Sequence, residues 1–138
     1  MSKIYVLDAC ALIALLSNEK GADKVAYAYK DANSGNAKII MNVVNLLEVY
    51  YDFYRAYSKK IADDMITHIE ESMINIVTEI DKAILVEAGR LKASYKISLA
   101  DSFVVAQANV TNGILVTSAH HELDVIEAKE PIQFLWIR

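Results

Sequence analysis

The sequence of 138 residues contains little cysteine, glycine or proline. A single cysteine, Cys10, excludes a disulfide framework and a zinc site built from several cysteines of the chain. Four glycines and one proline are too few for a flexible linker or for the many turns of an all-β barrel. Hydrophobic residues make up 54% of the chain and charged residues 23%, so the chain can bury a full core. We therefore expect one folded domain that spans residues 1–138.

The chain also lacks an excess of positive charge. Its 14 Lys and Arg residues against 18 Asp and Glu residues give a formal net charge of -4. This balance disfavours a protein that coats a polyanion through a basic surface. It does not exclude a nuclease, because the active site of a nuclease is itself acidic.

Long hydrophobic runs are absent as well. The longest uninterrupted apolar run covers residues 9–16, far short of the roughly 20 residues that cross a bilayer. The apolar stretch at residues 4–16 has Asp8 in its middle and only Lys3 ahead of it, which disfavours a signal peptide. We expect a soluble, cytoplasmic protein with no membrane partner.

Short apolar runs rich in β-branched residues alternate with stretches of helical periodicity. We predict strands at residues 3–7, 38–41, 74–78, 114–117 and 132–137, the last at a sheet edge because a proline precedes it. We predict helices at residues 9–16, 22–32, 43–57, 58–73, 81–95, 99–110 and 120–128. Parallel neighbours need crossover helices, so we expect an α/β fold with a central, mostly parallel sheet of about five strands flanked by helices.

Three carboxylates lie in or beside apolar segments. Asp8 directly follows the first predicted strand, at the edge where α/β sheets bind ligands, although an Asp there also serves as a helix N-cap. Asp101 fits a capping box with Ser98, so satisfying the backbone of its own helix is an alternative role. Glu48 stands in the most apolar turn of its helix, where a carboxylate either extends to solvent or points into a polar cavity.

Convergence of these three carboxylates would require a cation or large pKa shifts. Two carboxylates about 5 Å apart repel by roughly 3 kcal/mol at an effective dielectric constant near 20. Oxygen-only ligands select a hard divalent ion such as Mg²⁺ or Mn²⁺. His120 and His121 do not compete for a softer metal, since adjacent helical residues do not face one site, and we expect both to be exposed.

Four short segments follow one another in a characteristic order and spacing. They are YVLDACALI at residues 5–13, NLLEV at 45–49, ISLADSFVVAQA at 97–108 and GILVTS at 113–118. In these segments the chain resembles the PIN-domain ribonucleases, and among them the VapC-type toxins of bacterial and archaeal toxin–antitoxin modules. The resemblance covers nearly the whole chain and implies the three-layer PIN-like form of an α/β fold.

The resemblance also implies an activity and its partners. A protein of this kind is a metal-dependent endoribonuclease in which Asp8, Glu48 and Asp101 hold Mg²⁺ or Mn²⁺ and act as the catalytic acids. Such an enzyme hydrolyses RNA phosphodiesters with a metal-activated water. The implied partners are RNA as the substrate, an antitoxin protein that neutralises the toxin, and a second copy of the chain in a homodimer.

The sequence departs from the family pattern at one position. The family typically carries a fourth acid two residues after the Thr that ends the fourth strand, and here Ala119 follows Thr117 at that spacing. Glu122 could substitute if its helix turns inward; the alternative is a solvated residue that complements the helix dipole. Thr117 and Ser118 either support the metal site or serve the turn. A catalytically degenerate PIN domain that binds RNA or protein without cutting is therefore the alternative function.

Two groups of side chains are candidates for contacts with RNA or protein. The cations nearest to the predicted site are Arg55, Lys59, Lys60, Arg90, Lys92 and Lys96. They either hold RNA phosphates or complement the dipoles of their helices. An aromatic stripe consists of Tyr50, Tyr51, Phe53, Tyr54 and Tyr57. These residues occupy too many faces of their helix for all of them to be buried in the core. We therefore expect part of the stripe to form a groove for a second copy of the chain or for an antitoxin helix. Stacking on RNA bases is a weaker alternative.

Overall fold

The computed structural model describes residues 3–138, which form five strands and seven helices. In chain order they are β1 (Lys3–Leu7), α1 (Ala9–Leu16), α2 (Ala22–Asn33), β2 (Ala37–Asn42), α3 (Val43–Ala56), α4 (Lys59–Glu70), β3 (Ile74–Val77), α5 (Lys82–Ser94), α6 (Leu99–Thr111), β4 (Ile114–Thr117), α7 (His120–Lys129) and β5 (Gln133–Trp136). The predicted order of strands and helices is confirmed. The largest boundary difference is at α4, which ends at Glu70 rather than at Met73.

All five strands pair in parallel, in the order β3-β2-β1-β4-β5. The chain builds outward from β1 to β3 and then returns to add β4 and β5 on the other side of β1. The direction of the crossovers therefore reverses between β1 and β4, and open parallel sheets bind ligands at the carboxyl ends of strands at such a point. The predicted edge position of β5 is confirmed, and the sheet is all parallel rather than mostly parallel.

Helices cover both faces of the sheet because successive strand residues point to opposite sides. Leu7 on β1 and Met41 on β2 pack with α1 to α4 on one face. Val6 on β1 and Leu115 on β4 pack with α5, α6 and α7 on the other face. The expected three-layer α/β fold is confirmed. No helix within residues 3–138 combines the length and apolar character needed to cross a membrane.

Side-chain caps set the starts of several helices. Ser58, Asp81 and Ser98 each accept a hydrogen bond from a backbone N–H in the first turn of α4, α5 and α6. Asn112 ends α6 in a left-handed conformation with a φ of 54°. These polar residues were recognisable in the sequence because capping satisfies backbone groups that a helix leaves unpaired at its ends.

Candidate active site

A cavity of about 250 Å³ opens at the carboxyl ends of β1 and β4. Its lining residues are Asp8, Ala9, Cys10, Ile13, Glu48, Asp52, Ser98, Asp101, Ala119 and Glu122. All three carboxylates predicted from the sequence face this cavity, together with two more. A larger cavity of about 630 Å³ lies between α1, α2 and α4 but is lined by no carboxylate. The acidic cavity is therefore where ion-dependent chemistry can take place.

Asp8 is held through both of its carboxylate oxygens. The backbone N–H of Ala11 donates to Oδ1 at 2.8 Å, which makes Asp8 the N-cap of α1, and the hydroxyl of Thr117 donates to Oδ2. Only 3% of Asp8 is exposed, and this burial raises its pKa to about 6. The two hydrogen bonds lower the pKa, and the charge of Glu48 raises it further. Capping and facing the cavity are thus compatible roles for one aspartate.

Glu48 reaches the cavity from the middle of α3. Partial burial raises its pKa, and the charges of Asp52 and Glu122 raise it further. A hydrogen bond with Asn45, one helical turn earlier, lowers the pKa. Asn45 is fully buried and also donates from Nδ2 to the carbonyl oxygen of Ala100 at 3.0 Å. This amide therefore connects the helix that carries Glu48 to the helix that carries Asp101.

Asp101 lies in the first turn of α6 as the capping pattern predicts. Its backbone N–H donates to Oγ of Ser98 at 3.1 Å. Among the described residues, the reciprocal bond of a capping box, in which the backbone N–H of Ser98 donates to the Asp101 carboxylate, is not formed. The carboxylate lines the cavity instead.

Glu122 is half-buried and reaches the cavity from α7, the inward alternative of the two that the sequence left open. Its side chain lines the cavity, and its Oε2 atom is buried without a hydrogen-bond partner among residues 3–138. Ala119 lies one helical turn earlier at the start of α7 and lines the same cavity. The sequence contains no strong signal for this, because an acid in the first turn of a helix more often faces solvent. Helix α7 thus contributes a carboxylate to the cavity although residue 119 is alanine.

The residues that follow β4 support the site rather than form its acidic lining. Thr117 is fully buried, donates to Asp8 and accepts from the backbone N–H of Ala119 at 3.0 Å. Ser118 hydrogen-bonds the thiol of Cys10, whose pKa is nevertheless raised to about 11 by burial. The sequence prediction missed Cys10 because one cysteine in an apolar helix carries no pattern. At neutral pH its thiol is protonated and is a poor nucleophile.

Most of the cations predicted to hold RNA are paired with carboxylates. Arg55 contacts Asp52 at 2.7 Å, and Lys59 and Lys60 contact acids of their own helix one turn later. Arg90 joins Glu87 at 2.7 Å to Glu130 at 2.6 Å. Among the described residues Lys92 and Lys96 form no such pair.

The aromatic stripe is divided between the core and the surface. Tyr50 and Phe53 pack against the core, whereas Tyr51, Tyr54 and Tyr57 are exposed. Part of the stripe thus lies outside the core as expected.

The sequence matches the family model described as PIN domain over residues 5–128. This span is most of the chain and includes all five carboxylates that line the cavity. The chain belongs to the PIN domain family. In this PIN domain Asp8, Glu48 and Asp101 thus occupy the carboxyl edge of the sheet at the reversal point of the fold.

Solved structures from toxin–antitoxin systems share the fold of this PIN domain. A chain of the toxin–antitoxin complex from Klebsiella pneumoniae is 18% identical, with a TM-score of 0.70 over 97% of this chain and 98% of that one. A chain of VapBC-1 from nontypeable Haemophilus influenzae is 19% identical, with a TM-score of 0.71 over 97% and 98%. VapC20 from Mycobacterium tuberculosis, described as a toxin that cleaves the sarcin–ricin loop, is 9% identical, with a TM-score of 0.63 over 80% and 86%. No curated protein matches the sequence significantly.

The chemistry of this PIN domain site fits a hard divalent cation. The carboxylates supply oxygen ligands, which Mg²⁺ and Mn²⁺ prefer. The unpartnered Oε2 of Glu122 and the raised pKa of Asp8 show that positive charge would stabilise the cavity. No three His, Cys, Asp or Glu residues within 3–138 are already arranged as ligands around one point, so binding an ion requires the carboxylate side chains to move closer together.

Proposed function

We propose that this PIN domain is a metal-dependent endoribonuclease and the toxin of a VapBC-type toxin–antitoxin module. The observation that carries the proposal is the convergence of Asp8, Glu48, Asp101 and Glu122 on one cavity at the carboxyl edge of the sheet. The fold shared with VapC20, which is described as an RNA-cleaving toxin, supports RNA as the substrate. The fold shared with VapBC complexes supports a protein antitoxin as the partner.

Each residue of the site has a role in this proposal. Asp8, Glu48 and Asp101 hold Mg²⁺ or Mn²⁺, and Thr117 fixes the orientation of Asp8 by donating to its Oδ2 atom. When bound, the ion supplies charge that offsets the phosphodiester and lowers the pKa of the attacking water. Cys10 does not compete as a nucleophile, because its pKa of about 11 keeps the thiol protonated.

Glu122 takes the place of the acid that Ala119 lacks. It lies one turn further along α7 and brings a carboxylate with a buried, unpartnered oxygen into the same cavity. A glutamate has one more methylene than an aspartate, so it can span the additional distance from its backbone. With alanine at position 119, Glu122 is thus the residue of α7 that supplies a carboxylate to the cavity.

The exposed apolar side chains are the surfaces for the protein partners. Three tyrosines at the end of α3 are exposed: Tyr51 by 40%, Tyr54 by 47% and Tyr57, which directly follows the helix, by 59%. On α5, Leu85 and Val86 are each 61% exposed. The two groups lie on helices that cover opposite faces of the sheet, and exposed apolar groups of this kind mark protein interfaces. These side chains contact an antitoxin or the second copy of a homodimer, in a protein that resides in the cytoplasm.

RNA cleavage by matched variants tests the proposal. Wild type is expected to cut a structured RNA in the presence of Mn²⁺, and Asp101→Asn is expected to lose at least about a hundredfold in rate because a ligand is neutralised. Asp64→Asn is the control, because Asp64 is exposed on α4 and pairs only with Lys60. Equal cleavage by wild type and Asp101→Asn would contradict the proposed site. A wild type that binds RNA but cuts only after Ala119→Asp would show a degenerate, RNA-binding PIN domain.

A further inference from the structure

Three aromatic rings form a continuous stack where β5 meets α7. The imidazole of His120 lies on the indole of Trp136 with ring centroids 3.8 Å apart and an interplanar angle of 12°. Phe134 stacks on Trp136 at 5.0 Å and 15°. Trp136 therefore lies inside the stack, and His120 and Phe134 form its two ends.

His120 presents one face of its ring to solvent. Its Nδ1 atom lies 2.8 Å from Oδ1 of Asp124, and its Nε2 atom lies 2.7 Å from the carbonyl oxygen of Arg138. These contacts lie at the edges of the ring and Trp136 covers one face, yet 48% of the side chain is exposed. Because one face and both ring nitrogens are in contact with other groups, we infer that the exposed part includes the outer face, which can continue the stack.

The stack connects directly to the acidic cavity. The backbone N–H of Ile137, between Trp136 and Arg138, donates to the carbonyl oxygen of Thr117 at 3.0 Å. The side chain of the same Thr117 donates to Asp8 in the cavity. The positive charge of Arg138 also acts on Cys10, which lines the cavity. Thr117 thus links the strand that carries the stack to Asp8, one of the proposed metal ligands.

Two cations lie beside the stack, and neither forms a close ion pair with a carboxylate among residues 3–138. The ammonium of Lys24 bonds the carbonyl oxygen of Trp136 at 3.4 Å and has no carboxylate within 4.0 Å among residues 3–138. Arg138 donates to the carbonyl oxygen of Lys20 at 3.1 Å and reaches Glu19 only at 4.0 Å. An exposed pair at that distance is weak.

Two acids also lie beside the stack and hydrogen-bond its rings. They are Asp124, which binds His120, and Glu127, which accepts from the indole N–H of Trp136 at 3.0 Å. The contacts of Lys24 and Arg138 contrast with those of Arg55, Lys59, Lys60 and Arg90, which are occupied by carboxylates at 2.6 to 2.7 Å.

We propose that His120, Trp136, Arg138 and Lys24 form the entry platform for single-stranded RNA. A base stacks on the outer face of His120, and Arg138 and Lys24 contact the phosphates on either side of it. An open ring face beside cations is how proteins hold unpaired bases, whereas a base inside a duplex has no free face to offer. The inference rests on the proposed ribonuclease function and adds where the strand lies before it enters the cavity.

Binding of a fluorescein-labelled, single-stranded RNA in EDTA tests the platform without any cleavage. We expect His120→Ala to raise Kd at least about fivefold, the lower end of what losing one base stack costs. His120→Tyr keeps a stacking ring and is expected to bind within about twofold of wild type. His121→Ala is the matched control, because His121 is the adjacent exposed histidine and takes no part in the stack.

The salt dependence of the same binding separates phosphate contacts from stacking. We expect Arg138→Ala to reduce the slope of log affinity against log salt by about 0.7, the value for one lost phosphate contact on a single strand. Lys60→Ala, which removes an exposed and paired cation from α4, is expected to leave the slope unchanged. Trp136 is the only tryptophan of the sequence, so its fluorescence reports on the stack and is expected to change when RNA is added to wild type.

The outcomes distinguish the platform from the nuclease. Equal RNA affinity of His120→Ala, Arg138→Ala and wild type in EDTA, with cleavage by wild type in Mn²⁺, would overturn the platform and leave the ribonuclease intact. Loss of RNA affinity in the platform variants, with no cleavage by wild type, would support the platform and refute the ribonuclease. A wild type with no affinity for single-stranded RNA would also overturn the platform.

Discussion

Asp8 combines a structural and a chemical role in one carboxylate. It caps α1 through Oδ1 and is held by Thr117 through Oδ2, yet it is buried beside the charge of Glu48. Burial outweighs the hydrogen bonds, so its pKa rises from 3.8 to about 6. The charged form of such a buried carboxylate is stabilised by a nearby cation. Without a cation, the charged form destabilises the fold.

The shift of Asp8 makes the stability of the metal-free protein depend on pH. Between about pH 4 and pH 6 the folded state binds more protons than the unfolded state, so stability falls as the pH rises through this window. Above the window the full cost of the raised pKa is present, on the order of 3 kcal/mol. We expect Asp8→Asn to lose this pH dependence and to be the more stable protein near neutral pH. Urea unfolding in EDTA across the window measures it, and a constant difference between the two proteins would contradict it.

Glu122 differs from the other acids because one of its oxygens is buried without a partner. We expect Glu122→Gln to raise the Kd for Mn²⁺ about tenfold, a loss of about 1.4 kcal/mol, because a ligand charge is removed. Glu70→Gln on the exposed end of α4 is the control. Isothermal calorimetry measures both. An unchanged Kd in Glu122→Gln would show that Ala119 leaves the site with three acids.

At the scale of elements, the site depends on how α3 and α6 are held together. Asn45 joins them by donating to the carbonyl oxygen of Ala100, next to Asp101, while also contacting Glu48. The predicted helices placed Glu48 and Asp101 on the right elements, since periodicity and caps are local signals. The Asn45 contact could not be predicted, because it joins residues that are 55 positions apart. The inward turn of Glu122 and the pairing of the cations depend on tertiary packing in the same way.

Removal of the Asn45 amide is expected to affect both stability and metal binding. Asn45→Ala removes a fully buried amide and its hydrogen bond to the carbonyl oxygen of Ala100, so we expect it to destabilise the fold by about 1 kcal/mol. We also expect the Kd for Mn²⁺ to rise, because Glu48 and Asp101 lose their common connection. Val49→Ala on α3 is the control, since it truncates a fully buried side chain without removing a polar contact. If both variants bind Mn²⁺ equally well in the folded state, Asn45 has only a structural role.

At the scale of the whole molecule, the distribution of charge matters more than its sum. Five of the 18 acidic residues line the cavity, which leaves 13 acidic residues against 14 basic ones elsewhere. The surface outside the cavity is therefore close to neutral despite the net charge of -4. The composition gives the net charge of the chain. Only the fold shows that the excess of acidic residues is concentrated at one edge of the sheet.

The central claim is that the converging carboxylates hold a divalent metal ion. A calorimetric titration of the folded chain with Mn²⁺ tests it most directly, with Asp101→Asn and the exposed control Asp64→Asn measured alongside wild type. We predict saturable binding to wild type and to Asp64→Asn, and a Kd at least about tenfold higher for Asp101→Asn. Equal binding to Asp101→Asn and wild type, or no binding to wild type, would contradict the claim.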